Sequence, residues 1–205
     1  VLVAGLFWRA KARTPAATAA RLAELQSRIR PHFLFNTLNS AIALVRSEPA
    51  QAEAVLEDLS ELFRHALADP AESVTLGQEI ALAKRYLAIE QIRFGDRLQV
   101  QWSLDPEANN AKLPPLLLQP LVENAVRHGV EPSAGGAQVK ISTLRRGRMV
   151  VLKVTNTTPA GSGERGHGLA LANVRERLAL LHDVQAQFHT VLKDGIFQVR
   201  LELPL

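Results

Sequence analysis

Apolar positions follow two regimes along this chain. Up to about residue 73 they recur every three or four residues, the spacing of helices with one buried face; beyond that, helices of this spacing are mixed with stretches of strict alternation. The stretch Arg30-Pro31-His32-Phe33-Leu34-Phe35-Asn36-Thr37-Leu38-Asn39 is the most informative of the first regime. At about 100° per residue, His32, Asn36 and Asn39 share one narrow stripe, and Leu34, Leu38, Ala41, Ile42 and Val45 fall on the opposite arc. That pattern predicts a helix buried from behind that holds a histidine toward solvent. Ser47-Glu48-Pro49 reads as a turn. Val55, Leu59, Leu62 and Ala66 then predict a second helix ending near Asp69-Pro70. Residues 18–30, with Leu22, Leu25 and Ile29, predict a helix upstream, kinked or restarted at Pro31. Two amphipathic helices joined by so short a turn form an antiparallel hairpin. A hairpin alone leaves apolar surface open, so two copies are expected to pair as a four-helix bundle, a homodimer.

The second regime begins near Val74. It predicts a helix from Gln78 to Phe94 ended by Gly95-Asp96, and a half-buried strand from Leu98 to Leu104. A helix opened by Pro114 and Pro115 and closed by Gly129 follows. Strands from Val139 to Leu144 and Met149 to Val154 flank a turn at Arg146-Gly147. A glycine-rich loop from Thr157 to Gly166 leads into a helix from Leu169 to Leu181. The chain closes with a hairpin, Val184 to Thr190 and Ile196 to Leu203, about Asp194-Gly195. The expected class is α+β: a helical hairpin over 14–70, then an α/β sandwich over 71–205 whose mixed sheet carries helices on one face.

Composition narrows the picture in three ways. With 47% hydrophobic but only 5% aromatic residues, the core must be built from Leu, Val, Ile and Ala. The absence of cysteine rules out a disulfide framework and any thiolate zinc site. The net charge of +4 comes from scattered arginines with no basic block, which argues against direct nucleic-acid binding. At the N-terminus, an apolar run ends in Trp8 and is followed by Arg9, Lys11 and Arg13. Residues 1–13 therefore have the form of a transmembrane helix leaving a membrane on its cytoplasmic side.

Three groups of residues carry candidate chemistry. An imidazole such as His32, uncharged near neutral pH and facing solvent, keeps a free ring nitrogen and can act as a nucleophile. Glu123 and Asn124 lie within an otherwise apolar helix, where burial is costly without partners. A hydrated Mg²⁺ bound to phosphates is one such partner, with Arg127 or His128 one turn on to meet phosphate oxygens; an N-cap or a surface polar cluster is the other reading. Gly166-His167-Gly168-Leu169, leading toward Asn173, opens a helix whose N–H groups suit a polyphosphate, with Arg165 just upstream.

Taken together, Pro31-His32-Phe-Leu-Phe-Asn36-Thr-Leu-Asn39, Leu-Gln-Pro-Leu-Val-Glu123-Asn124-Ala-Val-Arg-His128-Gly and Asn173-Val-Arg-Glu-Arg-Leu178 resemble the LytS-type sensor histidine kinases, with the AlgZ/FimS-like branch nearest. The resemblance covers Leu25 to the C-terminus. It implies a dimerisation and phosphoacceptor hairpin followed by a Bergerat-type (GHKL) ATP-binding domain, at the cytoplasmic face of a bacterial inner membrane. His32 would take the γ-phosphoryl group of Mg²⁺-ATP and pass it to an aspartate of a response regulator, expected to be of the LytTR kind. By the same resemblance Asn124 is the magnesium ligand and Glu123 the acidic neighbour and candidate base. Gly166, Gly168 and Leu169 belong to the second glycine box, and Asn36 takes a position linked with phosphatase activity.

The sequence departs from the family pattern in three places. Phe33 stands where many histidine kinases carry an acid after the phosphoacceptor, Asn156 falls where an aspartate reads the adenine amine, and Ala170 replaces the last glycine of the second box. An asparagine oxygen can still accept from that amine. These departures motivate an alternative, a degenerate kinase acting as a docking scaffold or phosphatase for the regulator. Gyrase- or Hsp90-like ATPases place a water-activating glutamate four residues before the asparagine, where this chain has Pro120.

Overall fold

The computed structural model describes residues 31–67, 73–159 and 168–205. The upstream helix over 18–30, the membrane-exit segment 1–13, the helix end at Asp69-Pro70, and Arg165, Gly166 and His167 lie outside the described residues. Among the described residues no helix is long and apolar enough to cross a membrane.

Helix α1 (Pro31–Leu44) carries the polar stripe of His32, Asn36 and Asn39. Helix α2 (Pro49–Leu67) runs back beside it and buries Ala52, Val55, Leu59, Leu62 and Ala66, the stripe read from the sequence plus Ala52. On α1 the buried positions are Thr37 and Ala41, with Leu34 and Leu38 half-buried. Ile42 and Val45 depart from the expectation: they are 70% and 55% exposed. The reason is geometric. Within one chain α2 and the helix that follows cover only the Phe33–Thr37–Ala41 side of α1.

That next helix, α3 (Leu76–Phe94), starts two residues earlier than expected, because Thr75 and Gln78 form a reciprocal capping box. The hairpin rests on it: Asp58 pairs with Arg85 at 2.5 Å, and Leu59 and Leu62 enter the same core as Leu82, Ala83 and Leu87. Strands β1 (Val74–Thr75) and β3 (Lys112–Leu113) pair as a small antiparallel ribbon that the sequence did not announce.

The main sheet has the order β2-β4-β5-β7-β6, from β2 (Leu98–Ser103), β4 (Ala137–Arg146), β5 (Met149–Thr157), β6 (Gln187–Lys193) and β7 (Ile196–Pro204). Strands β2 and β4 are parallel and the other neighbours antiparallel. One face is buried at alternate residues: Val139 and Ile141 on β4, Leu152 and Val154 on β5, Phe197, Val199 and Leu201 on β7. Helices α3, α4 (Leu118–Ala125) and α5 (Gly168–His182) cover that face. Asp194 and Gly195 both take positive φ, 51° and 72°, as a two-residue hairpin turn requires. The mixed sheet with helices on one face, behind a helical hairpin, is the architecture expected.

The segment before α4 differs from expectation. Pro114 and Pro115 do not form the first turn of the helix. Leu116 adopts φ 55°, a left-handed conformation disfavoured for a branched side chain, and the helix begins two residues later. Nor does Gly129 end it: a π-helical turn, Val126–Val130, continues past it, with Glu131 N donating to Val126 O at 3.0 Å.

Candidate active site

His32 lies on α1 and is exposed. Asn36, one turn on, places Nδ2 3.1 Å from His32 Nδ1. With the amide donating, Nδ1 accepts and the ring proton sits on Nε2. Turned by 180°, the amide oxygen accepts from Nδ1–H and Nε2 keeps its lone pair. One asparagine thus serves either tautomer. Asn39 is exposed on the same face, so the polar stripe is as expected. Phe33, beside the histidine, turns inward and stacks on Tyr86 of α3 with centroids 5.0 Å apart. The residue next to the histidine thus helps hold the histidine helix to the sandwich.

Asn124 is 4% exposed within α4, and among the described residues no hydrogen bond satisfies its amide. A buried amide in that state fits a ligand that supplies its own polar partner. An amide oxygen with water and phosphate oxygens is the donor set Mg²⁺ takes. No group of three or more His, Asp or Glu side chains that could hold a metal occurs among the described residues. Glu123 is half-buried and accepts from Gln119 Nε2 at 3.1 Å. Arg127 is exposed, and His128 is half-buried in the π turn.

The π turn that follows the Asn124 helix packs against the strand end that carries Asn156. Gly129 packs against the end of β5 so closely that a Cβ there would meet Thr157 O at 2.8 Å and Asn156 Nδ2 at 3.0 Å. Asn156 is 2% exposed, and its Nδ2 donates to Thr157 O at 3.0 Å. That bond fixes the amide orientation and leaves Oδ1 as the acceptor, the polarity an adenine amine needs. Helix α5, which Gly168 and Leu169 begin, packs on α4 and so borders the same region; Asn173 on it is exposed.

Three charged residues were missed. Glu79 is 2% exposed on α3 and accepts from Leu116 N at 2.6 Å and Leu118 N at 2.8 Å. Burial pushes its pKa up, while those N–H groups, that of Leu117 and the Arg177 guanidinium pull it back. Arg177 on α5 donates to the carbonyls of Pro115 and Leu116. Glu90, also on α3, is pushed up to about 7, mainly by burial; Arg93 beside it opposes the shift. The sequence did hold a signal: Glu79, Ala83, Leu87 and Glu90 share one helical stripe, so two carboxylates sit on the apolar face.

A helical hairpin seated on this sandwich, with an exposed histidine near its start and a buried asparagine in α4, defines a class that comparison with known proteins identifies. Residues 20–98 match the family described as Histidine kinase. Among solved structures, the nucleotide-free catalytic domain of the histidine kinase ThkA superposes with a TM-score of 0.50 at 15% identity, covering 67% of this chain and 96% of that one, a likeness of fold. The chain is homologous to the catalytic region of two-component sensor histidine kinases.

Within that class it is similar to the LytS and YpdA type. It is 38% identical over 188 residues to the sensor histidine kinase YpdA of Escherichia coli K12, covering 85% of this chain and 33% of the relative. It is 32% identical over 187 residues to the sensor protein LytS of Staphylococcus haemolyticus, covering 83% of this chain and 32% of the relative. The chain thus spans about a third of the length of these curated relatives.

Proposed function

We propose that this chain is the kinase region of a sensor histidine kinase that phosphorylates itself on His32 from Mg²⁺-ATP and passes the group to an aspartate of a response regulator. The observation that carries the reading is the exposed His32, its Nδ1 engaged by Asn36, on a hairpin docked to a histidine-kinase sandwich. With the Asn36 amide turned so that its oxygen accepts from Nδ1–H, the Nε2 lone pair is free to attack the γ-phosphorus in line. The bond from phosphorus to the bridging oxygen breaks, ADP leaves, and the Nδ1 proton passes to Glu123 or to water. Mg²⁺ would neutralise the phosphate oxygens, with Asn124 Oδ1 as its protein ligand. Asn156 Oδ1 accepts from the adenine amine. Arg127, His128 and Arg165, with the N–H groups around Gly166, Gly168 and Leu169, hold phosphate charge, and Asn173 borders that pocket. The protein's task is positioning and charge neutralisation.

The active unit is a homodimer. Phe35, Ile42, Val45 and Leu56 are 64%, 70%, 55% and 41% exposed on the hairpin, an apolar surface that a second hairpin would cover. The apolar run ending at Trp8 and followed by Arg9 supports a location beneath a membrane, at its cytoplasmic face. The motif set favours the AlgZ/FimS-like branch and a LytTR-type regulator.

The test is incubation with γ-labelled ATP and Mg²⁺. Acid-labile, base-stable label that vanishes in His32→Ala and Asn124→Ala supports the reading. No label on the parent chain, with faster Asn36-dependent loss of phosphate from a phospho-regulator, overturns it in favour of the scaffold or phosphatase alternative.

A further inference from the structure

The turn that launches α4 is gripped from both sides by charges of opposite sign. Leu116 holds a left-handed conformation, φ 55°, that its own side chain disfavours, so something outside the turn must maintain it. Two residues do. Glu79 spreads its carboxylate over the N–H groups of Leu116 and Leu118, at 2.6 and 2.8 Å. Arg177 takes the carbonyls of Pro115 and Leu116 from the other side. The peptide units on either side of Leu116 are thereby fixed in both donor and acceptor directions. Glu79 belongs to the helix on which the histidine hairpin rests, and Arg177 to the helix that begins at the glycine box. Between them they set where α4 starts and how it is rotated about its axis.

We infer that Glu79 and Arg177 are positioning residues for the metal ligand: their joint hold on the Pro115–Leu118 turn fixes the rotation of α4 at which Asn124 presents its amide to Mg²⁺. The inference rests on the Mg²⁺-ATP reading of Asn124. Asn124 lies six residues after Leu118, and about 100° separates successive side chains. Slippage of the helix by a fraction of a residue at its start therefore swings the amide away from a metal held on nucleotide phosphates. An amide at position 79 keeps the size of the carboxylate. It offers one acceptor in place of two and turns an NH₂ toward an N–H.

The experiment is calorimetric titration of ATP into the purified chain, once in EDTA and once in saturating Mg²⁺, for the parent, Glu79→Gln, Arg177→Lys, Arg177→Gln and Asn124→Ala. Val139→Ala, a core truncation elsewhere in the sheet, controls for lost stability. Both Glu79→Gln and Arg177→Gln are expected to bind ATP in EDTA within twofold of the parent. They should lose at least fivefold of the Mg²⁺-dependent tightening, with Arg177→Lys between. Val139→Ala should lower Tm yet keep the tightening. Adding Glu79→Gln to Asn124→Ala should change nothing further. If Glu79→Gln does not fold, the two Arg177 variants carry the same comparison. Parent-like tightening in the Arg177 variants overturns the inference, as does an equal loss in Val139→Ala. If Asn124→Ala itself keeps the parent's tightening, the metal reading fails first and this inference with it.

Discussion

The Phe33 ring lies on the Tyr86 ring with centroids 5.0 Å apart and planes inclined by 35°. This contact ties the residue next to the candidate phosphoacceptor to the middle of α3, and through α3 to the sandwich. Tyr86 also hydrogen-bonds Glu90 one turn on, so a single side chain serves both a ring contact and a buried carboxyl.

A double-mutant cycle should register that contact. With Phe33→Leu and Tyr86→Leu singly and together, urea unfolding is expected to give a coupling of about 0.5–1.5 kcal/mol, the range for aromatic pairs. Tyr86→Ala alone should cost about 3–5 kcal/mol, because the residue is 4% exposed and a large void follows. Coupling near zero would mean that the hairpin is docked by other contacts.

Stability should fall as pH rises between about 4.5 and 7. Glu90 titrates at about 7 in the folded chain against 4.5 as its ordinary value. In that window the native state binds more protons than the unfolded state, so the slope of unfolding free energy with pH is negative. The full effect is present below 4.5 and lost once pH passes 7; its size is of order 3 kcal/mol by the conversion of pKa to free energy. Urea midpoints at pH 5 and pH 8 measure it. Glu90→Gln, which cannot titrate, should flatten the difference, and an unchanged difference would assign it elsewhere.

Asn156 and Gly129 should act on nucleotide affinity together. Asn156→Ala removes the acceptor for the adenine amine and is expected to weaken ATP binding about tenfold, the worth of one hydrogen bond. Gly129→Ala should weaken it as well, since its Cβ would lie 3.0 Å from Asn156 Nδ2 and 2.8 Å from Thr157 O. Fluorescent-nucleotide titration reads both. Full affinity in Asn156→Ala would refute the adenine contact.

Gly136→Ala, just before β4, should be strongly destabilising. Its φ is 82°, and a Cβ would meet the Arg97 carbonyl at 2.3 Å, with backbone that cannot swing away. Strain and clash together should cost about 3 kcal/mol or more. A thermal melt within a degree or two of the parent would contradict this.

Much of the architecture was legible because it rests on local periodicity. The α2 stripe, the alternation in β4, β5 and β7, and the Asp194-Gly195 turn each follow from neighbours in sequence. Around the candidate site, the i, i+4 spacing of His32 and Asn36 does bring their side chains together, and Gly129 packs against Asn156. What was missed depends on distant partners. The left-handed Leu116 and the late start of α4 are set by Glu79, thirty-seven residues upstream of Leu116. Ile42 and Val45 were assigned to the buried arc because periodicity records that a face is apolar, not whether this chain or another covers it. The π turn past Gly129 reflects close packing on β5, which no spacing rule encodes.

The parallel pairing of β2 with β4 has a further consequence. Parallel neighbours require a crossover, and here the crossover includes α4. The helix that carries Asn124 is thus a strut whose two ends are tied, through the chain on either side, to neighbouring strands of one sheet. Asn124 therefore sits on an element that cannot slide along its axis without disturbing the β2–β4 pairing.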